Sequence, residues 1–161
     1  MLIPSNHPLA SVNDSFNAVF VHGDAVDDAM FYGRGAGELP TASAVMGDII
    51  DVARNIQFHC NGRIHCTCYK ELPIKKITEI ESKYFMRLLV EDKPGVLARI
   101  ADTLGKNDVS ISQVIQKNKD EELAELVVIT DKVLEQNFAD ALVNIKGMKT
   151  TREISTVIRV Y

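Results

Sequence analysis

From Tyr84 to the end of the chain, the apolar residues change period in a fixed order. Residues 84–90 alternate as a strand does, and residues 92–95 (DKPG) form a turn. Val96, Leu97, Ile100, Ala101 and Leu104 then share one helical face, which Gly105 or Asn107 can end. Residues 109–116 alternate again, residues 117–121 are a polar turn, and residues 122–130 alternate once more. Asp131 is placed to cap a second helix with Leu134, Phe138, Ala141, Leu142 and Ile145 on one face, and Gly147 stops it. Residues 150–160 read as a last strand. The order βαββαβ predicts an α+β, ferredoxin-like fold for residues 84–161, built from two βαβ halves. Each helix has one apolar stripe. Together the two stripes cover one face of a four-stranded antiparallel sheet and leave the other face to water or a partner.

Residues 1–58 form a different unit. Residues 3–15 are rich in turn formers. Residues 16–21 (FNAVFV) read as a strand, residues 22–24 as a turn and residues 29–32 as a second strand, so a hairpin or meander is expected. Residues 32–45 (YGRGAGELPTASAV) follow, a glycine-rich turn running into a helix opened by Pro40 and Thr41, with Thr41 as N-cap. Val45, Ile49, Val52 and Ile56 recur at helical spacing, and Ala42, Ala44 and Gly47 allow close packing. A glycine turn ahead of a helix start is how a backbone cradles an anion. Yet no strand–GxGxxG–helix unit occurs in the chain, so the turn reads as half of a site. Residues 59–83 read as a connector of mixed charge.

The 161 residues allow one domain or two small ones, and a hydrophobic content of 46% is enough for a core. The formal net charge is −4, with the acidic excess confined to residues 1–69. Neither half carries the basic footprint of a nucleic-acid binder. No apolar run approaches the roughly 20 residues of a membrane span, and no signal peptide is evident. A cytoplasmic location is therefore expected. Cys60, Cys66 and Cys68, an odd number, do not suggest a disulfide scaffold. With His59 and His65 they offer soft ligands, but only one residue separates Cys66 from Cys68, where structural zinc sites favour two to four. No metal site is expected. His7 and His22 flank turns and read as capping or surface residues, and Ser43 does not stand in a nucleophile elbow.

In the turn of residues 92–97 (DKPGVL), Pro94 fixes the helix entry. Gly95 removes a Cβ that would keep a ligand from the following amides. The amides of Gly95, Val96 and Leu97 suit a small carboxylate.

With DKPGVLARIADTLGKNDVSISQV inside it, the βαββαβ pattern resembles an ACT domain, a small module that senses amino acids. The resemblance implies an effector site at Asp92, Pro94, Gly95, Val96 and Leu97 in the loop, and at Val109, Ser110 and Ile111 where the second strand begins. It also implies pairing of two modules edge to edge. Many ACT domains have Asn at the position of Ser110; Ser keeps a hydroxyl and loses the amide.

Residues 1–58, with HPLASVNDSFNAVFV and MFYGRGAGELPTASAVMGDI, resemble the end of the catalytic region of homoserine dehydrogenases. An ACT domain follows that region in bacterial members. This likeness implies NAD(P)-dependent oxidoreductase chemistry in threonine and methionine biosynthesis, interconverting homoserine and aspartate semialdehyde. It implies threonine as allosteric effector and a homodimer or higher assembly. It places Gly35, Ala36 and Gly37 against the nicotinamide cofactor, with Thr41 and Ser43 nearby. The family's dinucleotide domain and its catalytic lysine have no counterpart in these residues. No catalytic residue, no tight cofactor binding and no activity are therefore expected of this chain by itself. The alternative is an ACT-type sensor or dimerisation module without catalysis.

Overall fold

The computed structural model describes residues 1–60, 69–118 and 122–161. They fall into two compact units. One comprises Met1–Ile3 and Pro73–Tyr161, the other Pro4–Leu72.

The larger unit runs β3 (Glu81–Glu91), α2 (Val96–Lys106), β4 (Ile111–Asn118), β5 (Leu123–Thr130), β6 (Val133–Leu134), α3 (Glu135–Lys146) and β7 (Thr151–Val160). Its main sheet has the order β7–β3–β5–β4, with every pairing antiparallel. This is the expected ferredoxin-like arrangement. The alternation of β3 and β5 sends Tyr84, Met86, Leu88, Val90, Ala124, Leu126 and Val128 to one face. There they meet Val96, Ile100 and Leu104 of α2 and Phe138, Ala141 and Ile145 of α3. All of these side chains are buried, and at 25 cal/mol per Å², roughly 1.5–3 kcal/mol per large side chain, they supply the main drive for this unit. The Tyr84 ring stacks on Phe138 with centroids 3.7 Å apart.

Several boundaries differ from the sequence reading: β4 runs over Ile111–Asn118, two residues later than expected, and two others differ for a tertiary reason. Asp131 does not cap the second helix. The chain first makes the two-residue strand β6, which pairs with Glu81 and Ser82, and α3 begins after Leu134. The same pairing extends β3 three residues earlier than Tyr84. Local capping propensity gave way to backbone pairing with a strand more than fifty residues away. At the same end of β3, beyond β7, Leu2 bridges Val160 in parallel, donating to the Arg159 carbonyl at 2.8 Å and accepting from the Tyr161 amide at 2.9 Å.

The smaller unit holds the antiparallel hairpin β1 (Phe16–Gly23) and β2 (Asp27–Arg34), then the long helix α1 (Glu38–Gln57). Asp27 takes a left-handed φ of 50° at the hairpin turn, a conformation Asp tolerates better than most residues. Phe16 stacks on Tyr32 at 4.9 Å, with the Arg34 guanidinium 4.8 Å from the Phe16 ring centre. His7 caps a short 3-10 turn, Pro8–Ser11, by accepting from the Leu9 amide, and its ring leans on Phe20. The helix buries none of its residues. Its expected stripe of Val45, Ile49, Val52 and Ile56 is present, but each of the four is at least 51% exposed.

Candidate functional site

The glycine turn comes first. Gly35 donates its amide to the Ser15 carbonyl at 2.9 Å, which fastens the turn to the start of β1. A Cβ at Gly35 would stand 1.9 Å from Asn17 Nδ2, so the exposed Asn17 side chain would have to swing away to admit one. Gly37 has a φ of 121°, which L side chains rarely adopt, and it serves as N-cap of α1. The helix thus starts three residues earlier than Thr41, which lies inside it and donates to the Gly37 carbonyl. Glu38 puts a carboxylate in the first turn, and Pro40 has no N–H to offer. Both features work against an anion at this helix start. Gly35, Ala36 and Gly37, with Thr41, Val45 and Met46, instead line an open hollow of 840 Å³ with a mostly apolar wall. With the Glu38 carboxylate also at its edge, that suits the flat face of a ring better than a phosphate. Ser43 is not among the lining residues.

The second place is the turn between β3 and α2. Gly95 adopts a left-handed φ of 87° as N-cap of α2, and a Cβ there would meet open space. Glycine is needed for the backbone angle, and the surrounding space is clear. The Val96 amide is engaged by the Lys93 carbonyl at 3.3 Å, and the Val96 side chain is buried. Leu97 is 38% exposed. Beside the turn lies a hollow of 590 Å³ lined by Glu91, Asp92, Lys93, Glu122, Leu123 and Arg152. Glu91 accepts from Lys93 at 2.9 Å and from Arg152 at 2.6 Å. The Lys93 hydrogen bond, helped by the positive charges of Lys93 and Arg152 and opposed by partial burial, holds the Glu91 carboxyl below the usual carboxylate range. Asp92 accepts from Gln116 of β4 at 3.3 Å.

Val109, Ser110 and Ile111 lie at the other end of the sheet. Ile111 pairs with Thr130, whose hydroxyl accepts from the Tyr84 amide near the start of β3. Glu91, just before the turn, pairs with Leu123 at the far end of β5. The seven steps of β5 between Leu123 and Thr130 span roughly 24 Å at about 3.4 Å per residue. One chain therefore does not bring residues 92–97 and 109–111 together. Val109 is buried in the core, and Ser110 is exposed and accepts from the Asp131 amide through its carbonyl.

A third cluster was not foreseen in the sequence. The Tyr84 hydroxyl donates to Glu135, which also accepts from Arg159 at 2.7 Å and 3.2 Å. Burial, then the bond to the carboxylate, raises the Tyr84 phenol above its ordinary value. Burial pushes Glu135 upward, but the hydrogen bonds from Tyr84 and Arg159 outweigh it and hold the carboxyl low. The cluster ties β3, α3 and β7 beside the Leu2 bridge. Its residues are 24 to 75 positions apart, and no local pattern marks them. The expected absence of a metal site concerns Cys66, Cys68 and His65, which lie outside the described residues. Among the described residues, no group of three or more His, Cys, Asp or Glu is arranged to hold a metal ion, and no helix is long and apolar enough to cross a membrane.

The antiparallel sheet with two helices on one face, and a glycine-capped helix start at its end, is the ACT fold, and the ACT domain family matches residues 84–147. The homoserine dehydrogenase family matches residues 1–50. The homoserine dehydrogenase of Corynebacterium glutamicum is 40% identical over 98% of this chain and 35% of its own length. That of Bacillus subtilis is 35% identical over 99% of this chain and 37% of its own. The crystal structure of a homoserine dehydrogenase from Thiobacillus denitrificans superposes with a TM-score of 0.80 at 32% identity, over 99% of this chain and 37% of that one. In sequence and fold, this chain corresponds to the C-terminal portion of homoserine dehydrogenases and carries an ACT domain. It spans little more than a third of the length of the relatives it matches.

Proposed function

We propose that this chain is the regulatory part of a homoserine dehydrogenase acting in the cytoplasm, where its ACT domain binds an effector amino acid, threonine, between paired copies. The observation that supports this most is the separation of the two halves of the effector site within one chain. Antiparallel pairing of two copies along the edge strand β4 sets the start of β4 in one copy beside its end in the other. Val109, Ser110 and Ile111 of one copy then face Asp92, Pro94, Gly95, Val96 and Leu97 of its partner. The amides of Gly95 and Leu97 suit the effector carboxylate, and Asp92 suits its ammonium group. Effector binding favours one arrangement of the pair and biases the preceding region through residues 59–83, with a coupling of about 1–3 kcal/mol.

Gly35, Ala36 and Gly37 contribute one wall of a nicotinamide site, NAD or NADP, in the assembled enzyme. The open apolar hollow fits that group on one side only. Hydride transfer needs cofactor, substrate and proton-transfer group held in near-attack geometry, so these residues alone do not turn over. Titration calorimetry with L-threonine, then with other amino acids, tests the effector. Heat and a thermal shift with threonine are expected, and neither with any amino acid would sink the proposal. A homoserine oxidation assay with NAD and NADP should show no turnover by this chain, and clear turnover would refute that part.

A further inference from the structure

The sheet face turned away from α2 and α3 carries as many apolar as polar positions. Register places Phe85 between Ile158 and Ile129, Arg87 between Thr156 and Val127, and Leu89 between Glu153 and Glu125. On β4, Ile115 stands beside Val127 and Lys117 beside Glu125. Phe85, Leu89, Val127, Ile129 and Ile158 are each partly open, and Ile115 is 39% exposed. An antiparallel sheet that faces water shows mostly polar residues on that side, and here Phe85, Ile129, Ile158, Val127 and Ile115 adjoin, with Gln113 and Thr156 at their margin and Leu89 among charges.

The charges on this face balance. Arg87 and Lys117 oppose Glu125 and Glu153, and they sit in adjacent rows. Arg87 meets Glu125 only at 4.0 Å, with side chains 45% and 30% exposed, so the guanidinium keeps donors to spare. A two-fold axis crossing the strands between those rows sets Arg87 between Glu125 and Glu153 of a second copy. A face with an apolar part, no net charge and a self-complementary charge pattern is what an isologous contact requires. We infer that this face is an interface between two copies of the chain, packed sheet on sheet, separate from the edge contact of the effector site. Three rows across four strands project to roughly 400 Å². That falls short of the about 800 Å² per partner of a standard stable interface. One pair of faces alone therefore associates weakly, and two edge-joined sheets present about twice the area.

Sedimentation of the full chain from about 1 to about 500 µM tests this across the range of weak to moderate affinities. Association beyond a dimer is expected. Ile115→Lys, which lies at the rim and outside the core, and Arg87→Glu should each weaken the face step at least about tenfold, and Arg87→Glu with Glu125→Arg should restore it to within about threefold. Thermal melts establish that each variant is folded. If Ile115→Lys associates as the parent chain does, the face interface is wrong and the edge contact stands. If Arg87→Glu, on the central strand β3, is monomeric, the face is right and the edge contact of the effector site is wrong. A chain monomeric at every concentration overturns both.

Discussion

At the scale of single residues, three side chains are held by position rather than by propensity. Tyr84 is 2% exposed, stacked on Phe138, and donates to Glu135, which Arg159 also holds. The signs for pH follow from the directions of the shifts. Glu135 is lowered on folding, so its contribution is present above the unfolded carboxylate value and lost as pH falls through the folded one. Tyr84 is raised from 10.0, so its contribution is complete below that value and lost as pH rises through the folded one. Urea unfolding against pH should therefore show an acid limb and an alkaline limb. Tyr84→Phe keeps the stack, loses the hydroxyl, costs about 1 kcal/mol and removes the alkaline limb. A variant whose alkaline limb persists would show that another group titrates there. At Gly95 the conflict is in the backbone alone, since a Cβ meets nothing within 4 Å. Gly95→Ala should cost about 1 kcal/mol from the left-handed φ, read from chemical denaturation.

At the scale of elements, the sequence was legible where apolar period and packing agree. The four strands of the main sheet, α2, and the βαββαβ order are visible because each element has one buried face. The reading failed at Asp131 and at the start of β3, where β6 pairs across the sheet. It failed again at Thr41, because Gly37 supplies a backbone angle that no side-chain cap needs to support. The same apolar period means different things in α1 and α2. Ile100 is fully buried, whereas Ile49 is 53% exposed. Ile100→Ala should cost about 2–5 kcal/mol by urea unfolding, with a cavity left behind. Ile49→Ala should change the stability of this chain by less than about 0.5 kcal/mol. A large loss at Ile49 would mean that a partner copy covers α1 in solution.

At the scale of the whole molecule, the two units differ in what holds them. The unit of Met1–Ile3 and Pro73–Tyr161 has a continuous buried core, while α1 in Pro4–Leu72 buries nothing. Calorimetry should therefore show one cooperative transition for the ACT domain. Helical signal from α1 should melt separately at lower temperature, because cooperativity follows shared burial. A single transition with matching calorimetric and van't Hoff enthalpies would show the units to be coupled. The sequence by itself determined the ferredoxin-like order, the hairpin and glycine turn, and the apolar stripes, since those depend on period and on residues a few positions apart. Only the tertiary structure decided which stripes are buried and how far residues 92–97 lie from residues 109–111 within one chain. It also gathered Tyr84, Glu135 and Arg159 into one cluster. Those outcomes depend on the register between strands distant in the chain, and no local pattern encodes that register.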